Sequence, residues 1–336
     1  MTPKTAVLLL NVGTPDKPEV SAVRKYLLQF LNDPRVITLP WLARKILVNF
    51  IIVPFRVRRS TERYRKLWTG KGSPLLVHGR SLQQKLQALL GKDFQVELAM
   101  NYGQPGLAEV LKKAKDQKAE RIIAFPLFPQ YATSTTGSVL EKIMRLSGAN
   151  FKIPALTTIT QYYDHPLFLE AWTSKIEEHN YREFDYILFS YHGLPLSQVL
   201  ASHPGKTCDE CRCTTEVNAE NRYCYHAACY ATTRLLAARL QMESSRYTVC
   251  FQSRISKNWL GPFTDKTIVE LAKLGKKRIL VVCPSFTADC LETTVEVGME
   301  FQELFRQHGG ESLVPVESLN DSDAWVKAIG EMIRRS

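Results

Sequence analysis

The sequence predicts an α/β protein made of two doubly wound halves, each with a parallel sheet. Three observations carry this. Short, nearly unbroken apolar runs recur along the chain, as in Val7–Val12 and Arg121–Leu127. Segments with helical spacing separate them, and the scheme repeats in the second half. Strands covered by helices on both faces read as continuous apolar runs rather than as alternating ones.

Taken in order, Val7–Val12 is a strand and Val20–Leu31 a helix. The strand Gln95–Met100 precedes a helix over Pro105–Lys115, and the strand Arg121–Leu127 precedes one over Thr136–Leu146. The second half reads as strand Tyr186–Tyr191, helix Tyr230–Leu240, strand Tyr247–Phe251, helix Asp265–Leu274, strand Arg278–Cys283 and helix Leu291–His308. The halves are expected to meet near residues 150–165, giving an N-terminal half over 1–160 and a C-terminal half over 161–336. In such sheets ligands bind beyond the carboxyl ends of the strands. Polar or glycine-bearing segments fall there: Asn11–Gly13, Asn101–Gly103, Pro129–Ser134, Ser190–Pro195, Gln252–Arg254 and Pro284–Glu292. Their clustering predicts one cleft between the halves.

The 336-residue chain carries a formal charge of +11, which fits an acidic small molecule, an anionic membrane surface or nucleic acid. Its basic residues are dispersed and no base-reading motif appears, which argues against nucleic acid. No run of about 18 apolar residues exists, so no membrane span is expected. The start reads as a buried strand rather than a cleavable leader, so a cytoplasmic protein is expected. In that compartment eight cysteines point to packing or metal binding rather than disulfides.

Two segments break the pattern. In 41–59, the run Ile46–Phe55 is apolar apart from Asn49 and is flanked by Arg44, Lys45, Arg56, Arg58 and Arg59. It reads either as an apolar lip dipping into an anionic membrane interface or as a buried helix with a basic end. The second is 208–229, where five cysteines crowd into a polar loop: Cys208, Cys211, Cys213, Cys224 and Cys229. Zinc and a [2Fe–2S] cluster both take four thiolates, so both fit this count, with one cysteine spare.

Two constellations can do chemistry. His192, in Ser190–Pro195, follows a strand and faces the expected cleft; an imidazole there can take a proton or ligate a metal near neutral pH. Asp289, Glu292, Glu296 and Glu300 recur at spacings of three and four, which on an α-helix puts them on one face. That face is either a solvated acidic surface near a helix N-terminus or a ladder handling protons and cations. A base and a carboxylate ladder together suit a reaction in which protons leave and a cation arrives, such as metal insertion into a tetrapyrrole.

The chain resembles the ferrochelatase family over nearly its whole length. The matching segments, in the family's order, are LLLNVGTPD (8–16), GSPLL (72–76), AMNY (99–102), FPQYATSTTGSV (128–139), SYHGLP (190–195), FQSR (251–254), WLGPFT (259–264) and PSFTADCLET (284–293). The resemblance implies a chelatase-like fold of two Rossmann-like halves around a porphyrin cleft. It implies a lyase that inserts ferrous iron into protoporphyrin IX, the terminal step of haem biosynthesis. His192 then corresponds to the base or metal contact, and Glu292 to the carboxylate on the opposite face of the ring. Asp289, Glu296 and Glu300 correspond to an acidic path. Phe286 and Tyr131 match residues packing on the macrocycle, Val12 a position facing it, and Ser73 with the Arg58–Arg59 pair the propionate-holding region. Cys290 and Asn101 stand where many members carry His and Arg. The 46–55 lip is similar to the family's apolar lip, which implies peripheral association with the inner face of the membrane. For the cysteine loop, the resemblance to cluster-bearing members implies a [2Fe–2S] cluster, with structural zinc as the alternative; Cys213 and Cys229 are the candidates for the spare thiol. Two competing functions are a chelatase for another tetrapyrrole or metal, and a non-catalytic porphyrin or haem carrier.

Overall fold

The computed structural model describes residues 5–149 and 153–336. The chain forms two compact units. The first comprises residues up to Phe128, Thr133–Thr160 and Asp321–Ser336; the second comprises Pro129–Ala132 and Gln161–Asn320.

The first unit holds a parallel sheet of β1 (Thr5–Gly13), β2 (Phe94–Tyr102), β3 (Arg121–Pro126) and β4 (Ala155–Thr158), in the order β2-β1-β3-β4. Residues Ala6–Asn11 of β1 are all buried, as an inner strand covered on both faces requires. On one face Ala6, Leu8 and Leu10 pack with Leu107, Val110, Val139 and Ile143 from the helices Leu107–Asp116 and Ser138–Gly148.

The second unit repeats the plan with β5 (Tyr186–His192), β6 (Tyr247–Gln252), β7 (Arg278–Val282) and β8 (Ser312–Pro315), in the order β6-β5-β7-β8. Leu188, Cys250, Ile279 and Val281 meet Ile268, Val297 and Phe305 in its core. The chain leaves β5 to build β6 on one side, then returns to build β7 on the other. Neighbouring connections therefore diverge between β5 and β7, and the same happens between β1 and β3. Such switch points leave an open crevice at the carboxyl ends of the strands.

The helix expected over Leu291–His308 is of two kinds: π-helical over Leu291–Phe301, then α-helical over Gln302–Gln307. π-Helical turns also occur over Leu47–Ile52 and over Thr133–Gly137, the latter opening the segment after β3. Among the described residues no helix is long and apolar enough to cross a membrane.

Candidate active site and metal centre

His192 ends β5, at the switch point of the second sheet. The chain leaves that strand through Gly193, whose amide donates to the Gln252 carbonyl at 2.8 Å. A Cβ on Gly193 would stand 2.8 Å from that same oxygen and 3.3 Å from the Trp259 ring, so the close exit from the sheet requires glycine. The His192 Nδ1 lies 2.6 Å from the Gly193 carbonyl. A carbonyl only accepts, so Nδ1 carries the proton and Nε2 keeps its lone pair. The Tyr225 hydroxyl donates to the His192 carbonyl at 2.9 Å and fixes the main chain behind the ring. Phe286 and Trp259 flank the half-buried imidazole, with ring centroids 6.2 Å and 6.4 Å away.

The acidic segment follows β7, the other strand of this switch point. Cys290 caps the π-helix: its amide donates to the Thr293 hydroxyl at 3.0 Å, half of a capping box. The carboxylates differ in environment. Asp289 precedes the helix and is held by the Thr293 hydroxyl, the Ser318 amide and the Asn320 side-chain amide at 3.0, 3.2 and 2.7 Å. Glu296 is buried and takes the Ser253 amide at 2.8 Å and the Ser253 hydroxyl at 2.6 Å. Ser253 adopts the left-handed conformation, with φ +62°, where it makes these contacts. Glu292 is half-buried, and Glu300 is exposed. The expected single α-helical face of four carboxylates is thus replaced by a graded series, because Asp289 lies outside the helix and the helix is wound more widely. Burial first, and then the Glu292 charge, push the neighbouring Cys290 thiol well above its ordinary range, which keeps it a neutral packing group. Gln252 ties the two halves of this site together. Its main chain receives Gly193, and its side-chain amide donates to the Glu292 carbonyl at 3.2 Å.

The other expected contacts are spread over both units. Tyr131, in the second, meets Tyr223 edge-on at 5.8 Å. In the first unit Val12 is half-buried at the end of β1, Arg58 and Arg59 are exposed, and Ser73 is buried with its hydroxyl 2.9 Å from that of Thr14. The lip is a continuous helical segment across Trp41–Ile46, Leu47–Ile52 and Val53–Leu67. Trp41, Leu42, Phe50 and Phe55 are 61–82% exposed, so the alternative of a fully buried helix is not what the segment forms.

In the cysteine-rich loop, Cys208, Cys213 and Cys224 converge with His203, all four ligand atoms lying within 4.8 Å of one another. Cys211 and Cys229 stand outside this group. The group that converges is therefore three cysteines and one imidazole. His203 was not singled out in the sequence, although its spacing of five residues from Cys208 was a readable signal. Trp259, Gln252 and Ser253 were also missed as site residues, since each acts through contacts that only the fold creates.

Two four-stranded parallel sheets flanked by helices, each with a switch point between its first and third strands, give a chelatase-type α/β fold. Among solved structures the fold is similar to SirB from Bacillus subtilis with Fe3+, with a TM-score of 0.55 at 12% identity, covering 99% of this chain and 95% of that one. It is likewise similar to the sirohydrochlorin chelatase SirB from Bacillus subtilis subspecies spizizenii in complex with cobalt, with a TM-score of 0.53 at 10% identity, covering 99% and 94%. The ferrochelatase family model matches residues 4–336. A ferrochelatase of Coxiella burnetii (strain CbuK_Q154) is 43% identical, covering 99% of this chain and 94% of its own. One from Legionella pneumophila (strain Corby) is 40% identical, covering 98% of each. The chain belongs to the ferrochelatase family.

Proposed function

We propose that this protein inserts ferrous iron into protoporphyrin IX, yielding protohaem, with His192 and Glu292 as the groups that handle protons and metal. The observation supporting this reading is that His192, with its Nδ1 on the Gly193 carbonyl, ends β5, while the segment bearing the half-buried Glu292 follows β7, the strand paired beside it. Insertion removes two pyrrole protons as the metal enters, so it needs a base within hydrogen-bond reach of the ring nitrogens. His192 Nε2 is that base, or the first contact of the substrate iron, and the Gly193 carbonyl holds its tautomer. Glu292 takes the complementary role on the opposite face of the macrocycle. Glu296, held by Ser253, continues the carboxylate path, while Asp289, held by three donors, braces the segment.

Phe286, Tyr131 and Val12 contact the apolar macrocycle in this proposal, and Arg58, Arg59 and Ser73 serve its propionates. The lip is proposed as a peripheral membrane contact, on the support of its exposed Trp41, Leu42, Phe50 and Phe55 beside Lys45, Arg56, Arg58 and Arg59. A carrier function is disfavoured because transport of a finished haem has no use for a base paired with carboxylates. Purified protein incubated anaerobically with protoporphyrin IX and Fe2+ is expected to convert the free-base porphyrin spectrum to that of the metalloporphyrin. An unchanged spectrum alongside porphyrin binding would favour the carrier. Conversion of a sirohydrochlorin-type ring in preference would favour the chelatase of another tetrapyrrole.

A further inference from the structure

We propose that His203, Cys208, Cys213 and Cys224 form a tetrahedral Cys3His site for a single zinc ion, and that this loop does not hold a two-iron cluster. The donor set comes first. Cys213 Sγ lies 3.8 Å from Cys224 Sγ, and His203 Nε2 lies 3.9 Å from Cys208 Sγ and 3.7 Å from Cys213 Sγ. Ligands about 2.0–2.3 Å from zinc at tetrahedral angles stand roughly 3.6–3.8 Å apart. The observed separations therefore surround one ion.

A [2Fe–2S] cluster asks for a different frame. Two irons with sulfides between them hold their ligands as two separated pairs, commonly four thiolates. Here all four donor atoms lie within 4.8 Å of one another, and one of them is nitrogen. Cys211 and Cys229 are buried and fall outside the group whose ligand atoms all lie within 4.8 Å of one another.

The surroundings are those of a prepared ligand shell. His203 is buried, and its Nδ1 lies 3.2 Å from the Lys206 carbonyl, which can only accept. The proton is thus on Nδ1, and the Nε2 lone pair points toward the sulfurs. Metal-bound histidines are oriented by such contacts. Asn221 is fully buried, and its side-chain amide donates to the Cys211 and Glu216 carbonyls at 2.8 and 3.1 Å. The same nitrogen lies 3.9 Å from Cys213 Sγ, where it supports a thiolate. Soft thiolates in a closed four-donor site select zinc among the common divalent ions.

Such a site is structural. It closes residues 203–224 into one loop and pins Cys224, the residue immediately before the helix Tyr225–Arg239. The next residue is Tyr225, whose hydroxyl holds the His192 carbonyl. The ion would therefore brace one wall of the active site without taking part in insertion.

The test is elemental and sulfide analysis of the full chain expressed with ample iron and zinc, together with Co2+ titration of the metal-free chain. The proposal expects one zinc per chain, no acid-labile sulfide, and a tetrahedral cobalt spectrum with thiolate charge-transfer bands. His203→Ala and Cys208→Ser should lose the zinc and those bands, while Cys211→Ser and Cys229→Ser keep both. Should a ligand variant fail to fold, the cobalt spectrum of the unaltered chain still decides. Two irons with two acid-labile sulfides per chain would overturn the proposal. So would loss of the metal in Cys211→Ser or Cys229→Ser with retention in His203→Ala.

Discussion

The two sheets share a plan and differ in what they place at its open end. Each has the strand order second-first-third-fourth. In each, the first strand leaves through a glycine pressed against the end of the second: Gly13 against the Tyr102 carbonyl, Gly193 against that of Gln252. The second strand of each donates a main-chain hydrogen bond to a proline carbonyl beyond its end, Met100 to Pro105 and Phe251 to Pro262. A π-helical segment follows the third strand in both. The residue before the glycine is Val12 in one sheet and His192 in the other. The π-helix carries Thr133, Ser134, Thr135 and Thr136 in one, and Glu292, Glu296 and Glu300 in the other. One backbone device therefore serves twice, with titratable side chains at its positions in the second sheet and uncharged ones at the equivalent positions of the first.

That contrast can be broken at graded points. His192→Ala should lower kcat by roughly 10²–10⁴-fold, the usual worth of a positioned base. Glu292→Gln should cost roughly 10²-fold, and Glu296→Gln less, because both Glu296 oxygens are already engaged by the Ser253 amide and hydroxyl. Steady-state insertion rates check both, and an inactive Glu296→Gln beside a near-normal Glu292→Gln would move the reacting carboxylate deeper. Gly193→Ala forces a Cβ into the Gln252 carbonyl and the Trp259 ring. Displacing His192 this way should lower kcat on the order of tenfold without removing any reacting group. Smallest is the lip. The Phe50→Asp, Phe55→Asp double variant should weaken sedimentation with anionic liposomes and leave turnover of detergent-solubilised porphyrin within about threefold, since it removes apolar contact area alone. Unchanged sedimentation would leave those side chains without a membrane role.

Sequence reasoning located the strand ends better than the contacts around them. The apolar runs marked β1, β2, β3, β5, β6 and β7 because inner strands bury every residue. It passed over β4, Ala-Leu-Thr-Thr, and β8, Ser-Leu-Val-Pro, since four-residue edge strands show no long run. His192 and Glu292 were legible from their place after strands. The π-helix was not, because a carboxylate spacing of three and four reads the same in an α-helix. Nor were the locks on Asp289 and Glu296, whose partners Ser318, Asn320 and Ser253 are supplied by distant turns. In the cysteine loop the thiols drew attention by number, while His203, which converges with three of them, looked like one polar loop residue among many.

The central claim is that the second sheet's switch point performs the reaction while the equivalent point of the first only contacts substrate. It is tested most directly by anaerobic single-turnover insertion of Fe2+ into pre-bound protoporphyrin IX, with porphyrin affinity measured on the same samples of wild type, Val12→Ala and His192→Ala. All three should bind porphyrin within about threefold of one another, and Val12→Ala should still convert it, while His192→Ala holds it unconverted. Conversion by His192→Ala at a rate near wild type, or loss of turnover in Val12→Ala with binding intact, would contradict the assignment.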